Sequence, residues 1–366
     1  MNEKKYNRTK LVIDISETII SFVVILLFLS LGYSGLLEKL ITGYVSNSYL
    51  ILILFFGIFG AAFSFISFPI DYYSSYYLEH KYNLSNQTIG KWLIEKMKGS
   101  LLGIIIGVPI LILFYFLIVT FGNLWWLPFA IGMFLISVVL AQIVPVFIMP
   151  LFYKISPLED EDLKERIVKL SVYAGLKLEN VYKFDMSKNT KKANAAFTGL
   201  GKTKRILLGD TLLNNFNNDQ IETVIAHEMG HYKKKHIIKN LAFSTVVSFG
   251  IFYFLSILYN SSLQWFGFEN IKQIAALPII ALWGMLIGII QTPVSNVISR
   301  KYEYEADEYA VNQTQKYDEF VTALTKLNEQ NLGDKEPHPL VEWYFYSHPS
   351  VKKRVEFINK LKNELN

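Results

Sequence analysis

The sequence predicts a mainly α-helical fold that crosses a membrane several times and carries a small β-sheet in its polar part. Hydrophobic residues make up 52% of the 366 residues and charged residues only 18%, below the roughly 25% typical of soluble globular chains. Six apolar runs are long enough to span a bilayer, where only helices pair every backbone group internally. They lie near residues 15–36, 49–70, 101–121, 124–149, 241–259 and 274–298. A soluble core of long buried helices is the alternative, and six such runs count against it.

The first run has a second interpretation as a signal peptide, since basic residues precede it. No small-residue cleavage pattern is evident and further spans follow, so we expect an uncleaved span. If the N terminus is inside, the inner segments hold nearly all the basic charge and the outer loops carry only Lys39 and Lys272. This bias predicts a cytoplasmic N terminus and cytoplasmic polar segments. Because topology accounts for the net charge of +5, nothing indicates a nucleic-acid partner.

Four segments organise the chain. They are a membrane region with four spans at 1–150, a first polar part at 151–240, a membrane hairpin with two spans at 241–298, and a second polar part at 299–366. Periodicity predicts the elements of the polar parts: helices at 160–174, 217–236 and near 299–314, 316–329 and 350–364, and strands at 181–187, 194–199 and 205–210. Asn218 or Asp219 suits the N-cap of the second helix.

The stretch AHEMGHYKKKH, residues 226–236, contains three of the chain's six histidines, and the chain has no cysteine. His227 and His231 are four apart, so on a helix they share one face and can bind one metal ion. Glu228 lies about 100° around the helix from His227, beside such an ion, where it can act on a water molecule. This H-E-x-x-H spacing is the signature of a zinc metalloprotease. Two histidines on a solvated helix end are the alternative.

Two neighbouring residues carry further expectations. Gly230 costs about 1 kcal/mol in a helix interior, so we expect another part of the chain to approach the helix closely there. His236 lies among lysines and off the metal-facing stripe, and we expect it at the membrane interface, not as a ligand. His80 and His338 are expected to be structural.

A catalytic zinc site needs a third protein ligand and keeps one position open. SRKYEYEADEYA, residues 299–310, offers four acids directly after the last apolar run. Glu303 and Asp307 are four apart and share a helix face, so Glu303 is a candidate ligand and Asp307 a candidate partner of a ligand histidine. A solvated acidic helix remains the alternative.

These residues resemble the integral-membrane zinc metalloproteases of the CAAX prenyl protease 1 family and, more distantly, the HtpX-type quality-control proteases. The resemblance covers most of the chain from about residue 68. It is carried by SRKYEYEADEYA, by NAAFTGLGKTKRILLGDTLL and SHPSVKKR, and by EHKYNLSNQTIGKW and PLFYKISPLEDEDLKERI, which are typical of the prenyl-protease branch. The chain departs from the family in having six predicted spans where the eukaryotic members have seven, and N-A-A where N-A-Y is usual.

The resemblance implies a zincin-like metalloprotease domain with a small β-sheet and one Zn²⁺ per chain. It makes Glu303 the third ligand and Asp307 the carboxylate behind the ligands. It further implies that His348 lies near the zinc and donates to the scissile carbonyl or its oxyanion, and that Arg354 supports the ligand carboxylate. Such roles are chemically sound for an imidazole and a guanidinium.

The segment at Asn194 and Ala195 would present an edge strand to an extended peptide substrate. The predicted function is therefore zinc-dependent peptide hydrolysis with Glu228 as general base. Prenylated C-terminal peptides, with the lipid among the membrane helices, are one substrate class. General proteolysis of membrane or misfolded proteins is a second hypothesis. The third is a non-enzymatic membrane protein with a closed structural zinc site.

Overall fold

The computed structural model describes residues 2–176, 181–198 and 205–365, and helices dominate it. In chain order the helices are α1 (Asn2–Ser30), α2 (Tyr33–Thr42), α3 (Ser48–Asp71), α4 (Leu78–Lys81), α5 (Ile89–Phe121), α6 (Trp126–Ile143), α7 (Met149–Phe152), α8 (Glu161–Ala174), α9 (Asp210–Asn215), α10 (Asn218–Lys233), α11 (His236–Ser262), α12 (Pro278–Thr314), α13 (Tyr317–Gln330), α14 (Pro339–Phe345) and α15 (Val351–Leu365). The strands are β1 (Ile155–Pro157), β2 (Val181–Phe184), β3 (Ala195–Thr198) and β4 (Arg205–Gly209).

Within the described residues, six helical stretches are long and apolar enough to cross a membrane, as the sequence predicts. They are Asn2–Ser30, Ser48–Lys81, Ile89–Leu124, Trp126–Phe152, His236–Phe266 and Ile274–Thr314. Most run past the apolar segments at their polar ends, because a helix already formed in lipid can continue into water without new nucleation. The chain is therefore an integral membrane protein.

The first predicted span, 15–36, does not coincide with one helix. Helix α1 ends at Ser30, and Gly32 takes a left-handed conformation with φ 75° before α2 begins at Tyr33. Glycine adopts this conformation without the steric penalty of a Cβ atom. The apolar pattern extends across the break because α2 also packs against apolar neighbours.

Polar contacts join the connecting segments at each end of the membrane bundle. At one end, the Glu38 carboxylate accepts hydrogen bonds from the backbone N–H groups of Ile274 and Ala275, at 3.1 and 3.2 Å. At the other end, the Tyr6 hydroxyl donates to Glu79 at 2.6 Å, and Lys192 lies 2.8 Å from the same carboxylate. Segments predicted to share a side of the membrane thus meet each other.

The polar part contains one four-stranded sheet in the order β1-β2-β4-β3. Strands β2 and β4 are parallel, and the two outer pairs are antiparallel. The three predicted strands are present, although Gly199, the end of the predicted 194–199 strand, lies outside the described residues. Strand β1 was not predicted because three residues are too few to show an alternating pattern. Strand β3 forms an edge of the sheet.

Helices α8, α10, α13 and α15 pack with the sheet around a single apolar core. Helix α8 lies where the sequence predicts it. The helix with the histidine motif ends at Lys233, not at the predicted residue 236, because Lys235 takes a left-handed conformation. Its N-cap is Asn217, whose side chain accepts from Gln220 N in a capping box. The prediction of Asn218 or Asp219 was wrong by one or two residues, because the Gln220 side chain accepts from the N–H of Asn217, three positions before it. The short helices α9 and α14 were not predicted.

The helix predicted near 299–314 is the continuation of the last membrane span. Helix α12 runs without interruption from Pro278 to Thr314, a length of 37 residues. One continuous helix therefore links the last apolar span to the acidic residues at 303–307.

Candidate metal centre and cleft

The histidine motif lies in the most buried part of α10. Apolar residues before and inside the motif, including Ile225, Ala226 and Met229, are fully buried. They fix the rotation of α10 about its axis, because turning the helix would expose them to water. His227, 7% exposed, then faces the interior of the domain.

Helix α12 passes directly over Gly230, as the cost of a helical glycine led us to expect. A Cβ atom at this position would lie 3.0 Å from Cα of Ala306 and 3.1 Å from Cβ of Tyr309. The missing side chain lets the backbones of α10 and α12 approach closely. This approach brings the acids of α12 next to the histidines of α10.

Three candidate ligands converge where the two helices meet. The Nε2 atoms of His227 and His231 are 3.2 Å apart. The carboxylate oxygens of Glu303 lie 3.4 Å from His227 Nε2 and 3.3 Å from His231 Nε2. One ligand atom from each of these three residues lies within 4.8 Å of the others. The Glu303 side chain is only 3% exposed, so it points from α12 towards the protein interior.

The donor set fits a divalent metal ion. Among the described residues, Glu303 Oε2 is buried and has no hydrogen-bond partner, and its contacts at 3.4 Å are longer than a hydrogen bond. Two imidazole nitrogens and a carboxylate are the three protein ligands of one class of catalytic zinc site. In the described part of the chain the group contains no fourth His, Asp or Glu, which favours an open coordination position over a closed structural site.

Asp307 and Arg354 support His227 from behind. Asp307 is fully buried and lies 2.8 Å from His227 Nδ1. Arg354 donates to both carboxylate oxygens of Asp307, at 2.8 and 2.5 Å, and lies 3.4 Å from Glu303. Burial lowers the pKa of His227, but the neighbouring carboxylates of Asp307 and Glu303 favour its charged form and raise that pKa to about 9. The guanidinium thus holds mainly Asp307, whereas the sequence pointed to the ligand carboxylate.

His236 lies in a different environment from the one we predicted. We expected it at the membrane interface, but its side chain is 2% exposed. Its Nδ1 lies 3.0 Å from His231 Nδ1, its Nε2 lies 3.0 Å from Glu305, and its ring stacks on Tyr302. The neighbouring lysines conceal this in the sequence, because Lys235 adopts a positive φ of 60° and turns the chain back.

A cleft of about 260 Å³ opens beside the three candidate ligands. Glu228, Asn194, Ala195 and His348 line it together with His227, His231 and Glu303. Apolar residues of α10 and α13 form part of the wall: Val224, Phe320, Leu324 and Leu327. Glu228 is partly buried, and it is one of the residues that line the cleft. The apolar wall was not predicted, since its residues show only the ordinary periodicity of core helices.

His348 and the edge strand flank the cleft. The His348 side chain is 63% exposed, and its Nε2 lies 3.4 Å from Glu303. The Ser347 hydroxyl is 2.9 Å from its Nδ1. Among the described strands, β3 pairs with β4 through one edge only, which leaves its other edge available to an extended peptide. All nine residues singled out from the sequence therefore lie in or directly behind one site.

Comparison with known proteins gives consistent matches along the chain. The model of peptidase family M48 matches residues 157–362. A second model, described as the CAAX prenyl protease N-terminal region with five membrane helices, matches residues 1–154. In this structure those residues contain four long spans and the short helix α2.

Curated relatives and a solved structure agree with the family models. CAAX prenyl protease 1 of Saccharomyces cerevisiae is 36% identical over 321 residues, covering 82% of this chain and 70% of the yeast protein. The uncharacterized metalloprotease YhfN of Bacillus subtilis is 31% identical over 343 residues, covering 91% and 79%. The crystal structure of S. mikatae Ste24p superposes with a TM-score of 0.88 at 30% identity, covering 98% of this chain and 88% of the other.

Proposed function

Because this chain belongs to peptidase family M48 and is an integral-membrane metalloprotease of the CAAX prenyl protease type, we propose that its catalytic metal is one Zn²⁺ bound by His227, His231 and Glu303. The observation that carries this proposal is the convergence of their three ligand atoms within 4.8 Å. The ligand set and the adjacent Glu228 make the H-E-x-x-H segment the core of the active site.

The residues of the cleft have distinct roles in the proposed hydrolysis. When bound, zinc supplies Lewis-acid polarisation of the substrate carbonyl and a lower pKa for water. Glu228 accepts a proton from the attacking water and returns it to the leaving amine. His348, on the open side of the site, donates a hydrogen bond to the oxyanion of the tetrahedral intermediate.

Four further residues orient these groups and the substrate. Asp307 accepts from His227 Nδ1–H and so keeps Nε2 of that ring directed at the metal, while Arg354 holds Asp307 in place. Asn194 and Ala195 begin the edge strand, which pairs with the substrate backbone in extended form. The substrate is accordingly a peptide or protein chain, not a small molecule.

The proposed substrate class is prenylated C-terminal peptides, with lipid contacts among the membrane helices. This is supported by the relatives named CAAX prenyl protease 1 and by the closeness of the site to a membrane-spanning helix. The protease segments, 151–240 and 299–366, face the cytoplasm together with the N terminus, and the membrane segments are 1–150 and 241–298. The excess of Lys and Arg in the inner segments supports this orientation.

A cleavage assay tests the proposal. The purified full-length protein is given matched farnesylated and unmodified CAAX peptides, with and without a chelator, and zinc is then restored. We expect cleavage of the farnesylated peptide that the chelator abolishes and zinc restores. Equal cleavage of both peptides would replace prenyl specificity with general proteolysis. No cleavage of either peptide would overturn the proposed substrate class.

A further inference from the structure

The Nδ1 atoms of the two candidate ligand histidines contact different residues. The Nε2 atoms of both rings face the metal position, so their Nδ1 atoms face away from it. His227 Nδ1 meets the carboxylate of Asp307, whereas His231 Nδ1 meets Nδ1 of His236 at 3.0 Å. Histidine ligands of metals almost always donate their second N–H to a neighbouring acceptor. His236 is in the position of that acceptor.

The hydrogen-bond network assigns the tautomers of both rings. Coordination through Nε2 leaves the proton of His231 on Nδ1, so Nδ1 of His236 must accept. The proton of a neutral His236 is then on Nε2, which lies 3.0 Å from the carboxylate of Glu305. Each nitrogen along this chain of contacts has a complementary partner, which a reversed assignment would not provide.

His236 is held firmly enough to act as an orienting group. Its ring stacks on Tyr302 with a centroid distance of 4.2 Å and an interplanar angle of 10°. Tyr302 and Glu305 are three residues apart on α12, the helix that also carries Glu303 and Asp307. Helix α12 therefore carries the ligand Glu303 and the partner of His227, and it also carries the two residues that hold His236.

We propose that His236 is a positioning residue that accepts the Nδ1–H of His231 and, held by Glu305 and Tyr302, fixes the tautomer and ring orientation with which His231 binds the metal. This inference rests on the proposed metal site. It adds to that site a residue that lies outside the H-E-x-x-H motif and does not touch the metal.

An isomeric pair of substitutions tests the role of the Nδ1 atom. In His236→Asn the amide oxygen occupies about the position of Nδ1 and can accept from His231. In His236→Gln the same amide group is one carbon further out, near the position of Nε2, and cannot. The dissociation constants of Zn²⁺ and Co²⁺ are measured on the full-length protein by competition with a chromophoric chelator, and the Co²⁺ absorption spectrum is recorded.

We expect His236→Gln to weaken metal binding about 10–100-fold and to change the Co²⁺ spectrum, whereas His236→Asn stays close to the wild type in both. Metal-free melting temperatures should fall similarly in the two variants, since both lose the stacking on Tyr302. Equal metal affinity in the two variants would overturn the positioning role. A wild-type protein that binds no metal would instead overturn the proposed function itself.

Discussion

Gly230 of α10 lies against Ala306 of α12, so closely that a Cβ atom on the glycine would stand 3.0 Å from the alanine Cα. The two residues are one position away from His231 and three from Glu303. Their contact sets the separation of the two helices that supply the candidate ligands. The distance between the two histidines and the Glu303 carboxylate thus depends on the lack of a side chain at Gly230.

Replacement of Gly230 should separate the ligands. We expect Gly230→Val to destabilise the protein by about 1–3 kcal/mol through overpacking and to weaken zinc binding, because α12 must move outward. Gly250→Val in α11 is the matched control, since a Cβ there meets nothing within 4 Å. Thermal unfolding and chelator competition measure both effects. Unchanged zinc affinity in Gly230→Val would show that the close approach does not set the ligand geometry.

Substitutions of Glu228 and His227 should have separate effects on catalysis and on metal binding. We expect Glu228→Gln to keep zinc and to lose about 10²–10⁴-fold in kcat, the contribution of a general base. His227→Ala should lose zinc, because one of three protein ligands is removed. Zinc content by elemental analysis and peptide cleavage are measured on the same preparations. A Glu228→Gln variant that cleaves normally would remove Glu228 from the mechanism.

His348 should act on the reaction and not on the metal. We expect His348→Ala to lower kcat about 10²–10³-fold, as does removal of other oxyanion donors, with zinc affinity little changed because its ring is mostly exposed. His338→Ala replaces another exposed histidine as a control and should retain full activity. If His348→Ala releases the zinc instead, His348 is a ligand or a structural residue.

The pKa of His227 predicts how the metal-free protein responds to pH. Because the folded-state pKa is raised to about 9, protonated His227 stabilises the fold fully below pH about 6.5, its unfolded pKa. This stabilisation, at most about 3 kcal/mol, is lost as pH rises through 9. Melting temperatures in chelator at pH 6, 8 and 10 should fall more steeply for the wild type than for His227→Gln. Parallel curves would contradict the raised pKa.

The absence of cysteine in the sequence permits a direct test of orientation. We expect Lys272→Cys to react with a membrane-impermeant maleimide from outside intact cells, and Lys360→Cys to react only after the cells are opened. Both side chains are exposed, so neither change should disturb the fold. The reverse labelling pattern would place the protease segments outside.

The apolar runs were sufficient to predict the six spans, because a helix that crosses lipid needs an uninterrupted stretch of apolar residues. The pairing of His227 with His231 was equally accessible, since the helix period alone fixes it. The third ligand was not: the stretch 299–310 offers four acids, and their burial depends on contact with α10. Their shared helix face made Glu303 and Asp307 candidates, and the family resemblance then assigned their roles; the structure buries them at 3% and 0% exposure.

Other features depend on contacts that no local pattern records. The role of His236 follows from a left-handed turn at Lys235 and from a tyrosine more than sixty positions away. Helix α14 and strand β1 are too short for their periodicity to stand out. The break at Gly32 is hidden because apolar residues continue on both sides of it.

Helix α12 carries Glu303 five residues beyond the end of its apolar run, which is about 8 Å at 1.5 Å per residue. The candidate metal site therefore lies on the continuation of a membrane-spanning helix, a short distance along that helix from its apolar part. A substrate anchored in the same bilayer searches a thin layer beside the membrane instead of the bulk solution, so its effective concentration at the cleft is high even where direct contacts are weak. A freely diffusing peptide has no such advantage.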